Sequence, residues 1–156
     1  MVSLVRTTEE NQDFLDLVRL LDVELAGRDG EDHSFYAQFN KPVGLTGVVL
    51  VFDGGEPVGC GAFKEYSTDV AEIKRMYVKT EHRGKRIAAL ILQELESWAA
   101  DLGFQECILE TGFKQPEAIA LYKREGYETI PNYGQYADVA TSMCMRKVIG
   151  FQMSRP

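Results

Sequence analysis

Arg83-Gly84-Lys85-Arg86-Ile87-Ala88 is the stretch on which the fold of this chain turns. Upstream, Ala71 to Lys79 reads as a strand. Downstream, Ile87, Ile91, Leu95, Trp98 and Leu102 recur at spacings of three and four, the stripe of an amphipathic helix. The hexapeptide is therefore a basic, glycine-containing turn that feeds a strand into a helix N-terminus. There the first backbone N–H groups lack intrahelical acceptors, and the helix dipole adds partial positive charge. Such a turn can hold a pyrophosphate.

Toward the N-terminus, Val2 to Arg6 reads as a first strand. Thr7 and Glu10 are spaced as a capping box ahead of Phe14, Leu17, Val18, Leu21 and Leu25, which predicts a helix stopping at Gly27. Periodicity is lost from Arg28 to Leu45, where His33, Phe35, Tyr36 and Phe39 are scattered among polar residues; this is a loop or a short helix. Gly47 to Phe52 is a buried-type strand, and Asp53-Gly54-Gly55-Glu56 turns it into a second, Pro57 to Glu65. A turn at Ser67-Thr68-Asp69 leads into Val70 to Lys79.

Beyond the central helix, Gly103 is its stop, and Phe104 to Thr111 reads as a strand. Pro116 opens a short helix carrying Ala118, Leu121 and Tyr122, which Gly126 ends. Tyr127 to Ile130 and Ser142 to Val148 are two last strands around a loop with Tyr133 and Tyr136. This order predicts an α/β fold: one domain over residues 1–156 with a mixed, mostly antiparallel sheet and one parallel connection through the central helix.

Bulk properties agree. With 156 residues, 45% of them apolar, the chain is long enough for a real core. No apolar run approaches the ~20 residues of a membrane span, and the N-terminus lacks the apolar stretch of a signal peptide. The expected location is the cytoplasm, with no membrane partner. Cys60, Cys107 and Cys144 stand singly in strand-like segments, which favours buried thiols over disulfides. His33 and His82 are isolated, so no metal-ligand spacing appears and no metal is expected. A net charge of −7 argues against a nucleic-acid partner and is compatible with a cationic acceptor.

Phosphate-loop alternatives do not fit the turn. Lys85 is followed by Arg86 where a Walker A loop needs Ser or Thr, and the three spaced glycines of a dinucleotide fingerprint are absent. The element order and the turn instead resemble the GNAT superfamily of N-acetyltransferases, over nearly the whole chain. The family's acetyl-CoA signature is Gln/Arg-x-x-Gly-x-Gly/Ala. Arg83 opens it and Ala88 closes it, but Arg86 replaces the middle glycine. Two consequences are open. A positive φ would strain Arg86; if only its backbone N–H is used, its side chain can swing outward and add charge near the phosphates. The second is the expectation adopted. Ala118-Ile119-Ala120-Leu121-Tyr122-Lys123-Arg124-Glu125-Gly126-Tyr127 is likewise similar to the family's A-x-x-L-Y-x-x-x-G-F/Y segment.

The resemblance implies a sheet splayed at an acetyl-CoA site, with the pyrophosphate on Arg83, Gly84, Lys85, Arg86, Ile87 and Ala88. Met76, Tyr77 and Val78 would offer backbone groups to the pantetheine arm, and Gln115 stands where relatives often carry an Asn that contacts it. The Tyr122 hydroxyl would lie beside the cofactor sulfur, giving its proton to the leaving thiolate or only donating a hydrogen bond; the alternative is a ring that merely packs. Glu72, in an Ala71-Glu72-Ile73 context, matches the general base of several relatives, including histone-modifying ones. An amine acceptor is protonated near pH 7, and only its neutral form attacks a thioester. The alternative for Glu72 is an ion pair with Lys74 or with a neighbouring strand. Glu110 is a second carboxylate near the end of a central strand, and the aromatics Phe35, Tyr36, Tyr133 and Tyr136 line an acceptor pocket or belong to core and lid.

The expected function is thus an N-acetyltransferase passing acetyl from acetyl-CoA to a primary amine, by direct attack in a ternary complex and without a covalent intermediate. A small-molecule acceptor is favoured over a protein one, and a homodimer is compatible with the family. The rival from another class is a non-catalytic acyl-CoA sensor, which requires Glu72 or Tyr122 to point away from the cleft.

Overall fold

The computed structural model describes residues 1–29, 44–113 and 115–150, so His33, Phe35, Tyr36 and Phe39 lie outside the described residues. Seven strands form one sheet: β1 (Val2–Thr7), β2 (Gly47–Asp53), β3 (Glu56–Ser67), β4 (Val70–Val78), β5 (Glu106–Gly112), β6 (Glu128–Ile130) and β7 (Ser142–Val148). Among the described residues, three α-helices accompany it: α1 (Gln12–Asp29), α2 (Ile87–Asp101) and α3 (Pro116–Arg124). The strand order is β1-β2-β3-β4-β5-β7-β6. Every pairing is antiparallel except β4 with β5, which α2 connects in parallel. A helical crossover is what a parallel pair requires.

The hydrophobic stripes decide which face each helix covers. Helix α2 buries Ile87, Ile91, Leu92, Leu95 and Ala99 against Val49, Val51, Phe63 and Ile73. The expected stripe is rotated slightly: Leu92 and Ala99 are inside, whereas Leu102 is 54% exposed. Leu102 lies beyond the last helical turn, where Gly103 at φ +97° reverses the chain, so its side chain no longer follows the helical period. On the opposite face α1 buries Phe14, Leu17 and Val18 against Val48, Leu50, Cys60 and Ala62.

Two helix boundaries differ from the sequence expectation. Thr7 ends β1, and the cap of α1 is Asn11, whose Oδ1 accepts from the backbone N–H of Asp13 at 2.8 Å and of Phe14 at 3.3 Å. A short amide at the first turn satisfies two orphan donors, which the Thr7–Glu10 spacing could not reach. At the other end α1 runs past Gly27 to Asp29.

The strand that matters most is β4, because it is irregular. Cys60 pairs with Tyr77 and Ala62 with Lys74, so Gly61 alone faces Arg75 and Met76. This is a β-bulge, and Arg75 takes a left-handed φ of +60° to make it. Gly61 is required there. A Cβ on it would lie 2.6 Å from Met76 Sδ, 2.7 Å from Ile91 Cγ2 and 2.9 Å from Leu95 Cδ1. Gly61→Val is therefore expected to lower stability by about 1–3 kcal/mol through overpacking. Urea denaturation reads it, and an unshifted midpoint would show that α2 yields without cost.

Candidate active site

The parallel pair β4–β5 stays in register for three residues only, Val70↔Glu106, Ala71↔Cys107 and Glu72↔Ile108. Past Glu72 the two strands part. The bulge at Arg75 turns β4 away, while β5 continues to pair with β7 as far as Gly112↔Ser142. Between them opens a cleft of about 760 Å³, lined by Glu72 to Val78 on one side and by Glu110, Thr111, Gly112 and α3 on the other. Its volume suits a cofactor-sized ligand.

One end of the cleft is the basic turn. Arg83, Gly84, Arg86, Ile87 and Ala88 all line it; Lys85 is exposed and outside the lining. Arg83 is held firmly. Its Nε donates to the Val78 carbonyl at 2.8 Å, its guanidinium pairs with Glu24 of α1 at 2.6 Å, and it sits 5.5 Å from the Tyr77 ring centre. Arg83 thus fastens the turn to β4 and α1.

Arg86 corrects the expectation drawn from sequence. It adopts φ +65° and ψ +17°, a left-handed conformation, immediately before Ile87. A side chain in that conformation costs about 1–2 kcal/mol. Arg86→Gly is accordingly expected to relieve that strain and to keep acetyl-CoA affinity within about tenfold, or about 1.4 kcal/mol. A larger loss by calorimetry would assign the binding to the guanidinium.

The middle of the cleft holds the two residues singled out for chemistry, and both face it. Tyr122 projects from α3, is 6% exposed, and packs edge-on against Tyr127 with ring centres 5.8 Å apart. Burial, reinforced by the Glu110 carboxylate, pushes its phenol well above the ordinary value. Tyr127 is itself anchored: its hydroxyl donates to Glu96 of α2 at 2.9 Å, and Lys147 reaches the same carboxylate at 2.9 Å. Gln115 lines the cleft at the start of α3, next to Pro116 in the first turn.

Glu72 is 3% exposed at the point where β4 and β5 separate. The Tyr133 hydroxyl donates to its Oε2 at 2.8 Å, and Lys74 Nζ lies 4.0 Å from its Oε1. Tyr133 stands edge-on between Tyr66 and Tyr136, at ring separations of 5.2 and 5.8 Å. The ion-pair alternative for Glu72 is therefore present, but loosely, since 4.0 Å exceeds a hydrogen bond. Burial lowers the Lys74 pKa; Glu72 and Glu110 act against that shift, Lys64 and Arg75 with it. Glu110 also lines the cleft and accepts from Ser142 Oγ at 2.7 Å.

Two groups near this face have other roles. Arg75 is buried and tied to Asp22 of α1 at 2.6 Å. The three cysteines are free and buried, and burial pushes the thiols of Cys60 and Cys107 up to about 12 and that of Cys144 to about 11. All three are protonated at neutral pH, which does not suit a thiolate nucleophile. At the outer rim, ligand atoms of Glu56, Glu81 and His82 lie within 4.8 Å of one another, a proximity that sequence spacing conceals; both glutamates are exposed, and Glu56 also pairs with Lys79 at 3.2 Å. No helix among the described residues is long and apolar enough to cross a membrane.

This architecture has known counterparts. A structure from Klebsiella pneumoniae subsp. pneumoniae, provisionally assigned as an acyl-CoA N-acyltransferase, superposes with a TM-score of 0.81 at 29% identity, covering 96% of this chain and 98% of that one. An N-acetyltransferase, PaiA, of Thermoplasma acidophilum, solved in complex with coenzyme A, shares the fold at a TM-score of 0.71 and 18% identity, over 95% and 99% of the two chains. In sequence, an IAA acetyltransferase of Azospirillum brasilense is 35% identical over 94 residues. That match spans 60% of this chain and 61% of the relative, under two thirds of its length. The acetyltransferase (GNAT) family profile matches residues 12–127, which carry the bulged strand, the basic turn, the splayed cleft and α3. The chain belongs to the acetyltransferase (GNAT) family.

Proposed function

We propose that this acyltransferase moves an acetyl group from acetyl-CoA to the primary amine of a small molecule, by direct attack within a ternary complex. The observation that carries the proposal is the placement of Glu72 and Tyr122 on opposite walls of one cleft that ends at the turn Arg83–Ala88. A sensor would not need a carboxylate and a phenol converging on the same space.

In this scheme the pyrophosphate rests on the backbone of Gly84, Arg86, Ile87 and Ala88, with Lys85 adding charge from the rim. Pantetheine lies along Met76, Tyr77 and Val78, whose β4 edge carries no pairing to β5, and reaches Gln115 on the other wall. Glu72 takes the proton that the amine must lose. The neutral nitrogen then attacks the thioester carbon and becomes cationic; the C–S bond breaks, the sulfur leaves with the electron pair, and the nitrogen gives up its second proton, which solvent carries to the thiolate.

Tyr122 meets that sulfur as a hydrogen-bond donor. A free thiol has a pKa of about 8.5, and the raised phenol is a much weaker acid, so complete transfer from Tyr122 is uphill. Its O–H stabilises the thiolate by donation, and the thiolate acquires its proton afterward. Buried, uncharged cysteines fit a route without an acyl-enzyme.

Incubation with acetyl-CoA and a panel of primary amines, reading thiol release, tests the proposal. Turnover with at least one amine is expected. Acetyl-CoA binding without turnover on any amine would leave the sensor.

A further inference from the structure

We propose that the acceptor is a zwitterion of the α-amino acid type, with Lys74 receiving the carboxylate of the molecule whose amine is presented to Glu72. The inference rests on the acetyl-transfer proposal above and names its substrate class. It begins with a buried ammonium. Lys74 lines the cleft with its side chain 7% exposed, and among the described residues its Nζ has one ion-pair contact, at 4.0 Å, and no hydrogen bond. An ammonium carries three donors, and here no protein acceptor among the described residues meets them within hydrogen-bond distance, so they are left to the solvent of the cleft until a ligand displaces it. A ligand carboxylate supplies two acceptor oxygens and the compensating charge.

The other charges around Lys74 do not meet that need. Glu110 is engaged by Ser142, and Arg75 is engaged by Asp22. Lys64 is of the same sign and disfavours the ammonium. Glu72 is the nearest carboxylate, and it is oriented by Tyr133 on its other oxygen.

Geometry narrows the class. Glu72 and Lys74 are two residues apart on β4, line the same cleft, and lie 4.0 Å from each other. An amine delivered to Glu72 therefore arrives within a few ångströms of a cation. A second positive group on the acceptor would be repelled there, and a negative one attracted. In an α-amino acid the nitrogen and a carboxylate oxygen are three bonds apart, about 3 Å. That spacing matches adjacent opposite charges; a long spacer between amine and carboxylate does not. An acceptor with a second cationic group, compatible with the net charge alone, is disfavoured by the same argument.

The experiment compares L-amino acids with their carboxamides, which keep the size and lose the negative charge. Two readouts are taken: thiol release with acetyl-CoA, and calorimetric binding to the CoA-saturated protein. At least one amino acid should exceed its carboxamide by about thirtyfold or more in kcat/KM. Lys74→Met, which replaces a buried charge by an apolar chain of similar length, should reduce that preference to within about threefold, chiefly through KM. Equal rates for amino acids and carboxamides, or a preference that survives Lys74→Met, would overturn the inference while leaving acetyl transfer standing. Binding that is selective for the carboxylate and dependent on Lys74, without turnover, would uphold the site and overturn the transfer reaction. Neither binding nor turnover with any amino acid overturns the inference outright.

Discussion

Glu72→Gln is expected to remove most of the turnover near neutral pH, by about 10²–10⁴, with acetyl-CoA affinity unchanged. The substitution keeps the shape of the side chain and an oxygen for the Tyr133 hydroxyl, which donates to Glu72 at 2.8 Å. What it loses is the ability to take a proton. Around pH 7 an alkyl amine of pKa about 10.4 is almost wholly protonated, so the reaction depends on a base. As pH rises the solution supplies more neutral amine, and the deficit of the variant should shrink. Profiles of kcat/KM from about pH 6 to 10 on one confirmed acceptor read this convergence. Parallel curves for the two proteins, offset by a constant factor, would mean that Glu72 acts other than as a base. Coincident curves would remove it from the reaction.

Tyr122→Phe is expected to lower kcat by about ten- to a thousandfold with little change in the binding of acetyl-CoA. Its hydroxyl matters when negative charge collects on sulfur, and that charge is absent from the ground state. The ring itself continues to pack against Tyr127, so the fold should be retained. The direction of the pKa shift adds a second expectation. Burial and the Glu110 carboxylate favour the neutral phenol, so Tyr122 remains a donor throughout the range in which the amine titrates. Deprotonation of Tyr122 should therefore contribute no alkaline fall in rate below about pH 10. Full kcat in Tyr122→Phe would remove the residue from the mechanism.

Both candidates were named from sequence because each sits in a contiguous segment with a recognisable neighbourhood, and both line the cleft. The same is true of the fold's main lines. The stripe Ile87, Ile91 and Leu95 and the turn Asp53-Gly54-Gly55-Glu56 are local patterns, and each corresponds to an element of the structure. What sequence spacing could not supply were contacts between distant residues. Tyr133 reaches Glu72 from 61 positions away, and Asp22 reaches Arg75 from 53. Tyr133 could be placed only as an aromatic of pocket, core or lid, because nothing in its spacing reveals a carboxylate partner. Lys74 was legible only as an ion partner of Glu72; its place in the lining of the cleft, just before the bulge at Arg75, was not.

Backbone conformation was the other hidden quantity. Arg75 and Arg86 both take left-handed φ values, and an arginine in a sequence carries no sign of that. At each position tertiary context overrides a residue's own preference, and both lie beside the cleft. The cap of α1 was missed for a smaller reason: Thr7 is the last residue of β1, and Asn11, four positions on, caps the helix instead.

The short β4–β5 pairing has a mechanical meaning. A four-stranded panel, β1 to β4, and a three-stranded panel, β5 to β7, meet along a seam of three register pairs. Helix α2 lays its apolar face on β2, β3 and β4 and reaches the other panel through Glu96, which the Tyr127 hydroxyl and Lys147 both bind. Strand pairing between the panels is least where the cleft opens. A molecule bridging both panels restores part of that lost cohesion by mass action. Stability in this protein is thus expected to be set as much by what occupies the seam as by the packing on either side of it.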